Sequence, residues 1–252
     1  MVRLGQNFLS DPNLLDAIVR DAELEPGAAV LEVGAGEGVL TERLAAAAGH
    51  VHSVEIDRRL EPALAPVAAR ANVDLHWGDA LELDLAGLDP PPIAVVSNLP
   101  YAVATPVILR TVAELPSVRS WTVMVQREIA DRLRAAPGSR VYGGPSAIVQ
   151  LACEVKLLRS VDPAVFRPRP RVESAILGLR RTGPGADAPT RELIRAAFAH
   201  RRKSRARSLE HVRPGTLGPA RARLRELGLP EDTRAEQLSP EEFRALARGL
   251  SR

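Results

Sequence analysis

The chain has 252 residues, 45% of them hydrophobic, and a formal net charge of +3. That content can bury an ordinary core and carries no signature of disorder. Its single cysteine, Cys153, excludes an intramolecular disulfide and a multi-cysteine metal centre, and no apolar run approaches the roughly 20 residues that span a bilayer.

The opening, MVRLGQNFLSDPN, lacks a signal-peptide core, so the expected setting is soluble and cytoplasmic. In SDPNLLDAIVRDAEL, Asp11 is placed to cap a helix that has Pro12 at its first position. AVLEVG predicts a short buried strand, and GVLTERLAAAAG a helix closed by Gly49. VHSVEID predicts a strand and RRLEPALAPVAARA a proline-interrupted helix, followed by a strand and turn in VDLHWGDA. PIAVVSN predicts a strand, ATPVILRTVAEL a helix and SWTVMVQ another strand. Strands alternating with helices imply a mostly parallel sheet covered on both faces. After residue 140, PSAIVQLACEV predicts a helix and VESAILGLRR a strand. TGPGADAPT, residues 182–190, has the composition of a linker, and only helical patterns follow it.

VLEVGAGEGVLTERLA sets Gly34, Gly36 and Gly38 between a strand and a helix, where backbone without a Cβ admits a ligand closely. Glu55 follows about 20 residues later, at the end of the next strand, at the distance where an acid can accept both hydroxyls of a ribose. The spacing is G-x-G-x-G, not the dinucleotide G-x-G-x-x-G. Glu37 adds negative charge at the helix start, which repels phosphate and favours a cationic ligand. S-adenosylmethionine has a sulfonium and no phosphate. In HWGDAL, Asp79 can accept a hydrogen bond from an adenine amino group.

VVSNLPYAVATP ends a fourth strand with Asn98, Leu99, Pro100 and Tyr101. The amino group of adenine is a poor nucleophile because its lone pair is delocalised into the ring. An amide oxygen from Asn98 and a backbone carbonyl near Leu99 or Pro100 could accept its two hydrogens and free that lone pair. Pro100 would restrict the turn, and Tyr101 offers a flat face to an extruded base.

The charge is unevenly placed. Residues 191–252 hold 15 Lys and Arg against 8 Asp and Glu, whereas residues 1–190 hold 19 against 23. The run HRRKSRAR includes Arg201, Arg202, Lys203, Arg205 and Arg207, and with Arg195 it could follow a nucleic-acid backbone.

Together, GQNFLSD, LEVGAGEG, VEID, GDAL, NLPY, MVQREIADRL, YGGPSAIVQ and FRPRPRVESAI resemble the ribosomal RNA adenine dimethyltransferase family, in family order and over nearly the whole chain. AAFAHRRKSRARSLE is similar to its bacterial small-subunit branch. The resemblance implies an α/β fold: a Rossmann-like S-adenosylmethionine-dependent methyltransferase sheet of seven strands, with a small all-helical C-terminal domain. The expected boundaries are residues 1–182 for catalysis and 190–252 for RNA binding. By resemblance, Asn7 and Leu9 line the methionine side of the cofactor. Gly34 and Gly36 lie against it, Glu55 holds the ribose, and Asp79 with Ala80 the adenine. Asn98, Leu99, Pro100 and Tyr101 match the acceptor-base motif, with Asn98 also bordering the cofactor, and Phe166 matches an aromatic that sandwiches the base opposite Tyr101. The implied partner is small-subunit ribosomal RNA or an immature 30S particle, met by a monomer without metal. Ala102 stands where relatives often carry Asn, and the chain starts close to GQNF, where many carry a longer basic arm. Modification of large-subunit RNA and a primary role as an assembly factor stay open as alternatives.

Overall fold

A computed structural model describes residues 7–199 and 217–250. The chain packs as two units. Among the described residues, one comprises 7–130 and 154–181, the other 131–153, 182–199 and 217–250.

The first unit is built on a seven-stranded sheet. Its strands are β1 (Ala29–Val33), β2 (His50–Glu55), β3 (Val73–Trp77), β4 (Ala94–Asn98), β5 (Ser120–Gln126), β6 (Cys153–Val161) and β7 (Ser174–Arg181), in the spatial order β3-β2-β1-β4-β5-β7-β6. The first five pair in parallel, and β7 returns antiparallel to β5. Every residue of β1 is buried, as expected of a strand covered on both faces. Helices α1 (Pro12–Asp21), α2 (Val39–Ala47), α3 (Glu61–Ala68) and α4 (Ala104–Glu114) alternate with the strands. Asp11 caps α1 as expected, its side chain accepting from Leu14 N at 3.0 Å. A two-residue antiparallel pair joins Phe8 to Arg167 and Leu9 to Phe166.

The strand order reverses at β1, which has β2 on one side and β4 on the other. Ladder pairing of β1 with β4 covers Val30↔Ala94 and Leu31↔Val95. Beyond it the buried Ser97 Oγ accepts from Val33 N at 2.9 Å and ties the two strand ends together. Such a reversal opens a crevice at the carboxyl edge of an α/β sheet.

Two expectations need correction here. The helix predicted over PSAIVQLACEV is α6 (Gly144–Gln150), preceded by α5 (Arg127–Leu133), and from Cys153 the chain becomes strand β6. The stretch 131–153, assigned from sequence to the first domain, packs with the C-terminal helices instead.

The second unit gathers α6 with α7 (Ala188–Ala199), α8 (Leu217–Glu226) and α9 (Pro240–Leu250). Its core holds an aromatic chain: Tyr142 meets Phe198 edge-on at 6.0 Å, and Phe198 stacks on Phe243 at 5.7 Å. The linker-like stretch ends in a cap, with Asp187 Oδ1 accepting from Thr190 N at 2.9 Å. No helix among the described residues is long and apolar enough to cross a membrane.

Candidate active site

A cavity of about 180 Å³ opens where the strand order reverses. Its floor is the loop after β1. Gly34 and Gly36 both have positive φ, +86° and +58°. A Cβ on Gly34 would lie 3.1 Å from the ring of Pro100, and one on Gly36 would lie 3.3 Å from the Phe8 ring. Two other site segments therefore close directly on bare backbone, which is why glycine is required there.

Glu55 is buried at the end of β2 and holds three backbone amides. Its Oε2 accepts from Gly36 N at 2.9 Å, and its Oε1 from Ile56 N at 2.9 Å and Asp57 N at 2.8 Å. One carboxylate thus fixes both the Gly-rich loop and the turn after β2. Asp79 lines the cavity with its Oδ1 capping Leu81 N at 2.8 Å, and Ala80 lies beside it. From α4, Arg110 donates to Ala80 O at 2.6 Å and Leu83 O at 2.7 Å, so it positions the same loop.

Asn98, Leu99, Pro100 and Tyr101 form the opposite wall. The Leu99 side chain is buried, and its N–H donates to Met124 O at 3.1 Å. Pro100 O accepts from Val103 N at 3.1 Å, starting the turn into α4. The half-buried Tyr101 is held by a 2.6 Å hydrogen bond between its hydroxyl and Ser174 Oγ on β7. Burial raises the Tyr101 pKa, so the phenol stays neutral.

Asn7 and Leu9 also border the cavity. Phe166 does not. Its pairing with Leu9 turns it into the apolar cluster with Leu9, Leu15 and Ile18, where it is 2% exposed. Arg195 is exposed on α7, while Arg201, Arg202, Lys203, Arg205 and Arg207 lie outside the described residues.

Sequence reading passed over Glu32. It lies on β1, 1% exposed, with Oε2 accepting from Thr41 Oγ1 at 2.6 Å and Ser53 Oγ at 2.7 Å, and it lines the cavity. Desolvation raises its pKa from 4.5 to about 7, with the nearby Glu55 adding to the rise and the two hydroxyls opposing it. Below pH 4.5 both folded and unfolded chains hold this proton. Between 4.5 and about 7 only the folded carboxyl keeps it, so stability falls as pH rises through that window, by about 3 kcal/mol in all. Glu32→Gln is expected to abolish that part of the pH dependence, read by urea denaturation from pH 4 to 8. An unchanged slope would refute the assignment.

Four acidic side chains line the cavity, Glu32, Glu37, Glu55 and Asp79, and no Lys, Arg or His among the described residues does. This donor set repels phosphate and suits a cationic cofactor with hydroxyls and an amine to bond, as S-adenosylmethionine has.

The sequence profile described as "Ribosomal RNA adenine dimethylase" matches residues 2–250. The chain belongs to the ribosomal RNA adenine dimethylase family. The enzyme is 44% identical to "Ribosomal RNA small subunit methyltransferase A" of Rubrobacter xylanophilus, over 99% of this chain and 94% of that one. It is 41% identical to the protein of that name from Deinococcus radiodurans, over 98% and 84%. Among solved structures, a dimethyladenosine transferase from Plasmodium falciparum superposes with a TM-score of 0.80 at 25% identity, over 95% of each chain. The 23S rRNA methyltransferase ErmE gives 0.69 at 28% identity, over 98% of this chain and all of that one. The enzyme therefore has the Rossmann-like methyltransferase fold and is an rRNA adenine dimethyltransferase, and its family implies a methyl donor of the S-adenosylmethionine type.

Proposed function

We propose that this enzyme dimethylates two adjacent adenosines near the 3′ end of small-subunit ribosomal RNA, as a step in small-subunit biogenesis in the cytoplasm. The observation that carries the reading is the Asn98–Tyr101 wall facing an acidic, phosphate-repelling cavity. Relatives at 41–44% identity bear the small-subunit name, which favours that substrate over large-subunit RNA.

S-adenosylmethionine, when bound, supplies an electrophilic methyl group. Asn7 and Leu9 border its methionine part, Gly34 and Gly36 admit it against backbone, Glu55 takes the ribose hydroxyls, and Asp79 with Ala80 takes the adenine. The Asn98 amide oxygen accepts one hydrogen of the target amine. The carbonyl of Leu99 or of Pro100, whose oxygen also accepts from Val103 N, takes the other. Tyr101, pinned by Ser174, stacks on the base. Positioning and oriented dipoles do the work, and no general base with a shifted pKa is needed. Phe166 is assigned the face of the base opposite Tyr101. The domain boundaries at 182 and 190 describe function more than packing: residues 190–252 carry the RNA contacts, with Arg195 exposed on α7 and the run from Arg201 to Arg207 following the backbone as a monomer engages an immature 30S particle.

The test is transfer of labelled methyl from S-adenosylmethionine to small subunits lacking the modification, with large subunits in parallel. Dimethyladenosine in small-subunit RNA is the expected product. Label confined to large subunits would overturn the substrate assignment.

A further inference from the structure

Three of the chain's five histidines converge with an aspartate on the sheet face opposite Glu32, Ser53 and Glu55. Side chains alternate along a strand, so His50 and His52 of β2 share a face with their neighbours Asp74 and His76 of β3, where His52 is the register partner of Asp74. His50 Nε2 lies 3.0 Å from Asp74 Oδ2, His52 Nδ1 lies 3.9 Å from the same oxygen, and one ligating atom from each of the three residues falls within 4.8 Å of the others. His76 Nε2 is 3.2 Å from His52 Nδ1.

We propose that His50, His52 and Asp74 bind a divalent transition ion of the zinc class, with solvent completing its coordination.

The buried His52 is already oriented for this. Its Nε2 lies 2.8 Å from Pro90 O, and a carbonyl can only accept, so Nε2 carries the proton and the Nδ1 lone pair points into the cluster. A ligating imidazole characteristically gives its other N–H to such an acceptor. Ligand atoms on a tetrahedral ion with bonds of 2.0–2.1 Å are about 3.3 Å apart; the 3.0 and 3.9 Å pairs lie near that spacing, and the two imidazole nitrogens, within 4.8 Å of each other, draw together on binding. A neutral His50 presents its Nε2 lone pair to the ion by carrying its single proton on Nδ1, and the hydrogen bond that His76 Nε2 makes to His52 Nδ1 gives way to the ion. Two imidazoles with one carboxylate select zinc-class ions over magnesium or calcium, which take all-oxygen shells. The Asp74 side chain is 53% exposed and that of His50 20%, so an ion reaches the cluster from solvent. Once there it clips β2 to β3, the strands that carry Glu55 and Asp79 at their ends.

The test uses the full chain, stripped by chelator and titrated with Zn²⁺ alone by calorimetry, with Co²⁺ absorption as a reporter of tetrahedral geometry. The expected result is one ion per chain and a raised melting temperature. His50→Ala and Asp74→Asn, both at partly exposed positions, are each expected to weaken binding by about tenfold or more. A His200→Ala/His211→Ala variant, lacking the other two histidines, should bind like the parent. Absence of binding, binding undiminished in His50→Ala and Asp74→Asn, or loss only in the His200/His211 variant would overturn the proposal.

Discussion

Asn98→Ala is expected to lower the rate of methyl transfer by about 10²–10³-fold or more, the usual cost of removing an oriented dipole at a reacting centre. The amide is assigned the hydrogen that keeps the adenine lone pair in conjugation, and alanine offers no acceptor there. Water could fill the gap, but it would have to be ordered at the moment of reaction. Asn98 also borders the cofactor cavity, yet Glu55, Asp79 and the Gly-rich loop stay intact, so affinity for S-adenosylmethionine should change far less than the rate. Single-turnover transfer beside calorimetric cofactor binding separates the two. Near-normal transfer would remove Asn98 from the mechanism, whereas loss of binding in step with activity would make it a cofactor residue only.

Glu55→Ala should be the most damaging change on the cofactor side. It strips the acceptor from three backbone amides, those of Gly36, Ile56 and Asp57. Water entering the cavity can replace part of this, leaving a stability loss of roughly 2–4 kcal/mol. It also removes the acceptor proposed for the ribose hydroxyls. Three of its roughly four acceptor sites are already taken by those amides, so one ribose bond is lost, at roughly 1.5–3 kcal/mol, which corresponds to about 10–100-fold weaker cofactor binding. Glu55→Gln tests the tethering separately. A carboxamide has one oxygen, so it can serve Gly36 or the Ile56–Asp57 pair but not both, and its NH₂ opposes an amide N–H at the other side. We expect its stability to fall between those of alanine and the parent, with affinity still depressed. Unchanged affinity in the alanine variant would refute the ribose assignment.

The legible parts of the fold are those that local chemistry determines. The Asp11–Pro12 start of α1 needs only a capping carboxylate and a fixed φ, and both act within four residues. The parallel strands announce themselves as short apolar runs between turn residues. Strand β6 was hidden because its apolar residues continue those of α6. It lies at the end of the sheet, so inner and outer positions alternate in burial and no continuous apolar run marks it. The site was legible where it rests on glycine, proline and acids at strand ends, since those residue types are demanded by backbone geometry. Phe166 stands in a Pro- and Arg-rich stretch, a setting that suggests exposure, yet it is 2% exposed. Its burial comes from pairing with Leu9, a partner more than 150 residues away.

By itself, then, the sequence determined the alternating α/β architecture, the Gly-rich loop after the first sheet strand and the Asn98–Tyr101 motif, because each is written in contiguous residues with short-range physical requirements. Only the tertiary structure decided the buried Glu32 with its raised pKa in the cavity wall, the Arg110 brace on the loop of Asp79 and Ala80, and the Ser174 anchor of Tyr101. It alone brought His50 and His52 against Asp74 and assigned residues 131–153 to the helical unit. Each of these depends on strand register, burial or packing between segments far apart in the chain, and no local pattern encodes a distance between them.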